Sequence, residues 1–413
     1  MKARASTVLF LLALVAFVSL GLPDAVLGVA WPSVRRTFGV PLDGLGLLLV
    51  ATTAGYLTSS FLSGPIVRRV GVGGLLVGSS LLVVTSAIGY ALAPRWSFVL
   101  VAAVPAGLGA GAIDAGINAY AAARFPPGRV AWLHASWGLG ATLGPLLMTG
   151  VLACGWSWRW GYGVLAFVLT GLGLGFQQTR VLWGAGGGIG EEASSAATIG
   201  ESLREPFLRA NVALFFVYTG VEAMAGQWAY SLFTEGRGFS PEWAGVSVGA
   251  YWGSLTLGRI VSGALAHHVP PALLLRGSVA LMPLFAFLIF ATRGPWSGFS
   301  ALALLGFTGG PVFPLLIAGT PGRVGAAHSP NAVGVQIAAA CLGSAVLPAA
   351  AGVLARAHGI EAISVSLVAT ALVAFVLHEW VLRRERVAAP ARLPEVLLSP
   401  ETETKHPQAR RLE

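Results

Sequence analysis

The sequence predicts an all-α membrane protein of twelve transmembrane helices, arranged as two pseudo-symmetric six-helix bundles. Three observations predict it. Of the 413 residues, 55% are hydrophobic and only 10% charged, where soluble domains carry about a quarter charged residues. Apolar runs long enough to cross a bilayer, about 20 residues each, recur twelve times along the chain. The two halves also repeat one another's motifs at similar offsets.

The runs fall at residues 8–31, 44–66, 72–93, 97–122, 131–154 and 160–182, then at 209–232, 243–266, 272–292, 297–320, 330–355 and 361–382. The first resembles a signal peptide in having small residues near Val29 and Ala30, which could imitate a cleavage site. Its length and its internal Asp24 argue for a retained helix. Between the two sets lies "WGAGGGIGEEASSAATIGESLREPF". This glycine run lacks the following Lys-Ser/Thr and the preceding strand of a phosphate loop, and reads as a linker. The expected organisation is an N-terminal bundle over 1–182, a cytoplasmic linker over 183–208, a C-terminal bundle over 209–383 and a cytoplasmic tail over 384–413. Pro390, Pro394, Pro400 and Pro407 and a polar composition predict a disordered tail.

The 26 Lys and Arg against 17 Asp and Glu give a net charge of +9. Only two of the basic residues are Lys and none forms a long run, so nucleic acid is not an expected partner. Nineteen of them fall on the termini and even-numbered connections and seven on the odd-numbered ones: Arg35, Arg36, Arg95, Arg159, Arg237, Arg293 and Arg356. Positive residues accumulate on the cytoplasmic side, which predicts both termini inside, in the plasma (inner) membrane. Cys154 and Cys341 are lone thiols far apart in sequence, read as packing residues. No metal or other cofactor is expected. His267 and His268, next to Pro270, read as a cytoplasmic cap.

The internal repeat is visible in the acids. Asp24 lies 40 residues before Gly64 in "SGPIVRRVG", and Glu222 lies 41 before Gly263 in "GRIVSGALAHH". Likewise "GPLLMTGVLACG" parallels "LPAAAGVLARAHG". Six helices repeated in one orientation imply a pseudo-twofold axis along the membrane normal and a central site between the halves.

Asp24, Asp114 and Glu222 are acids within apolar runs. An acid at mid-bilayer costs a few kcal/mol on the mildest scale, so it must face protein or a water-filled cavity, and it marks a substrate or proton path. Each could instead be a buried acid bonded to a neighbouring helix. Asn118 follows Asp114 by four residues and shares its helix face. The glycines at 107, 109, 111 and 116 read either as sliding surfaces or as ordinary small-residue packing. Tyr56, Trp137, Tyr218, Gln227, Trp228, Tyr251, Trp252, Asn331 and Gln336 could line the same cavity, because a hydroxyl-rich ligand needs a partner for each polar group it buries. Gln227 and Trp228 could equally belong to an interfacial belt. His134 reads either as a proton relay or as an interfacial histidine.

These features resemble the major facilitator superfamily over residues 8–383 and, within it, the fucose/proton symporter group. The resemblance rests on "GLPDAVLGVAWPSVRRTFGV", "GLGAGAIDAGIN", "LHASWGLGATLGP" and "YTGVEAMAGQW". It implies a monomeric secondary transporter working by alternating access, with Asp24 and Asp114 in the positions of sugar-contacting and proton-carrying acids and Asn118 beside the sugar. There are departures. In "GPIVRRVGVGG" Arg68 stands where the superfamily carries an Asp, and no basic residue follows Gly71. "GATLGP" begins an antiporter signature that Leu146, Leu147 and Met148 do not continue.

The expected function is proton-coupled symport of a small polar solute such as a sugar, with the lipid bilayer as its surroundings. Asp24, Asp114 and Glu222 would be the proton-coupling groups. The alternative is a proton antiporter exporting lipophilic compounds, suggested by 13 Trp and 20 Phe. An intramembrane enzyme is not expected, since neither His-Glu-x-x-His nor Gly-x-Gly-Asp occurs.

Overall fold

A computed structural model describes residues 2–184, 198–325 and 327–388. Among them ten helices are long and apolar enough to cross a membrane. One, Gly44–Leu92, has 49 residues, about 74 Å of helix against a hydrocarbon core of about 30 Å. It is two crossings. Gly71 divides them at φ 73° and ψ 168°, a conformation that side chains with a Cβ avoid. Pro241–Leu265, which carries Glu242 and Arg259, is the twelfth.

In chain order the crossings are α1 (Lys2–Phe38), α2 (44–70), α3 (72–92), α4 (Trp96–Arg124), α5 (Pro127–Ala153) and α6 (Trp158–Thr179). The second six are α7 (Pro206–Ser231), α8 (Pro241–Leu265), α9 (Pro271–Ala291), α10 (Pro295–Gly309 and Val312–Val324), α11 (Ser329–His358) and α12 (Ala362–Ala388). Pro241, Pro271 and Pro295 open their helices at the position where a missing N–H leaves nothing unsatisfied. The sequence reading placed α10 as one run. Its ladder is interrupted at Gly310–Pro311, where proline supplies no N–H. The first span also extends beyond both ends of its predicted run, and α12 runs on to Ala388.

The six-helix halves meet along three seams: α1 with α7, α2 with α11, and α5 with α8. The α5–α8 seam alternates reciprocally. A Cβ on Gly138 of α5 would meet Thr256 of α8, and a Cβ on Gly253 or Gly245 of α8 would meet Thr142 or Thr149 of α5. At the end predicted to face outward, Arg35 pairs with Glu235 at 2.8 Å and Arg356 with Asp43 at 3.3 Å, so both ion pairs cross from one half to the other.

Of the predicted linker, residues 185–197 lie outside the described residues. Its remainder includes a short helix, Ile199–Ser202, with a reciprocal Thr198–Glu201 cap. Ser202 bonds His328 at 3.1 Å and receives Asn331 Nδ2 at 3.3 Å, seating that turn on the start of α11. The predicted disordered tail, from residue 389 on, also lies outside the described residues.

Candidate functional site

Polar side chains converge where α1, α2, α4 and α5 face α7, α8 and α11. The close approach of α2 to α4 is built by glycine. A Cβ on Gly107 would lie 1.8 Å from the Thr52 carbonyl oxygen, and one on Gly111 would lie 2.3 Å from that of Tyr56. In this conformation the glycines of α4 let the neighbouring helices approach closely. The consequence is local: the Tyr56 hydroxyl reaches across and donates to Asp114 Oδ2 at 2.5 Å. One turn along α4, Asn118 Nδ2 donates to Asp114 Oδ1 at 2.9 Å. Both carboxylate oxygens thus accept, an arrangement suited to the ionised form.

Asp24 sits on α1 directly after Pro23 and is exposed, although its neighbours Leu22 and Ala25 are buried. Its carboxyl lies near the Trp137 indole and within electrostatic reach of Asp114. An exposed acid flanked by a tryptophan of α5 and an acid of α4 opens onto the space between the helices. Above it, Gln227 Nε2 of α7 donates to the Asp24 carbonyl oxygen at 2.8 Å, fastening one half to the other. The Gln227 Oε1 and the Trp252 indole nitrogen are buried without a partner among the described residues. Trp252 in turn meets Trp137 edge to face at 5.7 Å.

Glu222 anchors the second half. Tyr218 Oη lies 2.5 Å from Glu222 Oε2 and 2.8 Å from the Gly309 carbonyl oxygen. The one hydroxyl proton of Tyr218 thus faces two acceptors, Glu222 Oε2 and the Gly309 carbonyl oxygen. Arg259 Nη2 stands 3.6 Å from Glu222 Oε1 and supplies the partner for the ionised form. Tyr251 Oη donates to the Glu222 carbonyl oxygen at 2.9 Å. The guanidinium of Arg259 also lies over the Trp137 ring, 5.4 Å from its centroid, so it links α8 to α5 of the other half.

The other sequence-predicted residues divide between this space and the surrounding framework. His134 is exposed, packs edge to face on Phe17 at 5.3 Å, and lies within electrostatic reach of Asp114 and Arg259. Trp228 is 0% exposed and donates to the Pro348 carbonyl oxygen at 2.9 Å, which places it in the α7–α11 packing. Gln336 is equally buried and accepts from Thr320 at 3.0 Å, within the C-terminal half. Asn331 belongs to the Ser202 contact at the end of α11. These three stand apart from the acids, because a helix that is apolar on most sides gives a polar residue no sequence cue to its direction.

Two residues were missed. Arg259 counted as a loop cation, but it lies six residues inside α8 and faces the centre; the cue was a charge followed by the apolar continuation "IVSGAL". Its removal from the cytoplasmic tally leaves the charge asymmetry in place. Cys341 of α11, expected to pack, is half-buried and lies within electrostatic reach of Asp24 and Asp114. Nothing in its apolar surroundings signalled that.

Comparison with known proteins agrees with this arrangement. A bacterial homologue of the human lysosomal transporter Spinster, solved in an inward-facing and occupied conformation, superposes with a TM-score of 0.73 at 13% identity, covering 93% of this chain and 97% of that one. In sequence, the chain is 22% identical over 408 residues to Bypass of stop codon protein 6 of Saccharomyces cerevisiae, covering 89% of this chain and 81% of the yeast protein. The family model described as Major Facilitator Superfamily matches residues 9–335. With twelve apolar crossings in two related halves and a polar centre between them, the chain belongs to the Major Facilitator Superfamily, a family of membrane transporters.

Proposed function

We propose that this transporter is a proton-coupled symporter of a small polar, sugar-like solute, working by alternating access in the plasma membrane as a monomer with both termini cytoplasmic. The reading rests on one observation: Asp24 opens onto the space between the halves, with the Tyr56–Asp114–Asn118 cluster beside it. In this reading residues 1–182 and 209–383 are the two moving bodies, joined by 183–208.

Asp114 is the proton carrier. In its ionised state it accepts from Tyr56 and Asn118. Protonation of Oδ2 turns an acceptor into a donor and forces the Tyr56 hydroxyl to seek another partner. A solute hydroxyl arriving beside Asn118 supplies that partner, so proton and solute stabilise the same state. Such mutual stabilisation is what coupling requires. Asp24, with the Trp137 indole, contributes a second acceptor and an aromatic face to the solute. Glu222, in contact with Tyr218 and Arg259, is the proton-coupling group of the other half. In this reading the cross-half ion pairs hold shut the end predicted to face outward.

The test uses proteoliposomes loaded with a pH dye and challenged with hexoses, deoxyhexoses and polyols, with Asp114→Asn in parallel. The expected result is internal acidification by one solute class, absent in the variant. A one-to-one symporter under a gradient of one pH unit accumulates solute up to about tenfold, since one unit is about 1.4 kcal/mol, whereas an uncoupled variant only equilibrates. Acidification retained in Asp114→Asn refutes the assignment. Proton movement driven by lipophilic cations alone would replace symport with antiport.

A further inference from the structure

A second site lies outside the central one, at the end predicted to face outward. The loop after α7 and the starts of α8 and α10 enclose an open-sided cavity of about 420 Å³, lined by Arg237, Ser240, Trp243, Arg293 and Trp296 among others. Ligand pockets begin at about 300 Å³. Two guanidinium groups face it, and one carboxylate, Glu361, answers both. Arg237 is held rigidly: its side chain is 1% exposed, it binds both Glu361 oxygens at 3.0 and 3.2 Å, and it donates to the Thr292 carbonyl oxygen at 3.0 Å. Arg293 is paired with the same carboxylate yet remains 58% exposed, so its remaining donors are turned to the cavity mouth. Among the groups at the cavity wall Arg293 is the exposed cation, while Glu242 in the first turn of α8 stands beside the wall as a second carboxylate. The α8 and α10 amino termini open at the same wall and add their dipole ends to it.

The remaining wall is aromatic. Trp243 and Trp296 meet edge to face at 4.5 Å, and Trp296 is 71% exposed, the position of an interfacial tryptophan. Below them the surface turns apolar: Val246, one turn after Trp243, and Leu304, two turns after Trp296, are both exposed toward the surroundings. An exposed guanidinium at the headgroup level with a hydrocarbon-facing surface beneath it fits an amphiphile. A free anion would use only the upper part.

We propose that this cavity is a headgroup site for an anionic phospholipid, its phosphodiester held by Arg293 beside the fixed Arg237 and its acyl chains lying along α8 and α10. The glycerol backbone packs against the two indoles. Nothing in this site touches the acids at the centre, so it stands independently of the transport reading.

The test is a thermal unfolding series on the purified full chain in detergent, titrated with phosphatidylglycerol, phosphatidylcholine or inorganic phosphate. The proteins compared are wild type, Arg293→Gln and Arg95→Gln. Arg293→Gln leaves the Arg237–Glu361 pair in place, and Arg95 is an exposed cation at the same end of the other half. The expected result is a rise in Tm with phosphatidylglycerol in wild type and Arg95→Gln, reduced by more than half in Arg293→Gln, with a smaller rise from phosphatidylcholine. An equal rise in Arg293→Gln, or none in wild type, overturns the site. A rise of the same size with inorganic phosphate overturns the lipid as its occupant.

Discussion

Replacing Gly107 with alanine tests the step on which the Asp114 cluster depends, the close approach of α2 to α4. The added Cβ would sit 1.8 Å from the Thr52 carbonyl oxygen, where ordinary contact begins at 3.4 Å. The obstacle is backbone, which cannot rotate away, so α2 retreats by about 1.6 Å. Tyr56, one turn along the same helix, retreats with it. Its 2.5 Å hydrogen bond to Asp114 then lengthens to about 4.1 Å, outside hydrogen-bonding range. Alanine in a helix gains about 0.5–1 kcal/mol over glycine, but overpacking costs about 1–3 kcal/mol, so the loss wins. Gly163, with nothing within 4 Å of its Cβ position, is the control in which only the gain operates. The assays are Tm in detergent and solute-dependent proton flux in liposomes. Gly107→Ala is expected to unfold at lower temperature than Gly163→Ala and to lose flux. Equal Tm and full flux would refute the claim that glycine sets the Tyr56–Asp114 distance.

The cross-half ion pairs give a second prediction. Exposed pairs are worth about 0.2–1 kcal/mol each, so Arg35→Gln with Arg356→Gln shifts the conformational balance by a factor of roughly 2 to 30. In a Cys154→Ser background, alkylation of Cys341 by a membrane-impermeant thiol reagent added outside reads this as a faster rate; an unchanged or slower rate refutes the pairs as a latch. A third concerns pH. Burial would push the Glu361 carboxyl up, but the bonds and charge of Arg237, with Ser364 and Arg293, hold it below the usual carboxylate range. A carboxylate held low stabilises the fold fully above its ordinary range and loses that contribution as pH falls through its folded value. Glu361→Gln should therefore lower Tm at neutral pH and converge with wild type as the pH drops below the carboxylate range; a constant difference in Tm refutes the pairing.

Much of this was legible in the sequence because the bilayer makes the rules severe. Twelve apolar runs must be crossings, and a charge inside one needs a reason, which is how Asp24, Asp114 and Glu222 stood out. What the sequence withheld was direction. Gln336 and Tyr56 are equally polar residues in equally apolar helices, yet one is sealed against Thr320 and the other meets Asp114. The difference lies in how α11 and α2 are rotated, and rotation is set by packing between helices rather than by periodicity within one. Arg259 escaped because charge near a helix end imitates a loop. The division of Gly44–Leu92 was anticipated, while the break in α10 was not: Gly310 is small because α8 crosses there, and its Cβ would lie 2.2 Å from the Leu255 carbonyl oxygen.

The reciprocal seam between α5 and α8 has a mechanical consequence. Thr142 and Thr256 each donate their hydroxyl to a carbonyl four residues back in their own helix, at 2.8 and 2.9 Å, and Thr149 does the same at 2.7 Å. Thr142 presents its methyl to Gly253, while Thr256 and Thr149 turn to Gly138 and Gly245 hydroxyl oxygens whose protons are already engaged within their own helices. A tilt of one half against the other along this line trades dispersion contacts for similar ones and breaks no hydrogen bond, so the seam behaves as a plain bearing, with friction but no detent.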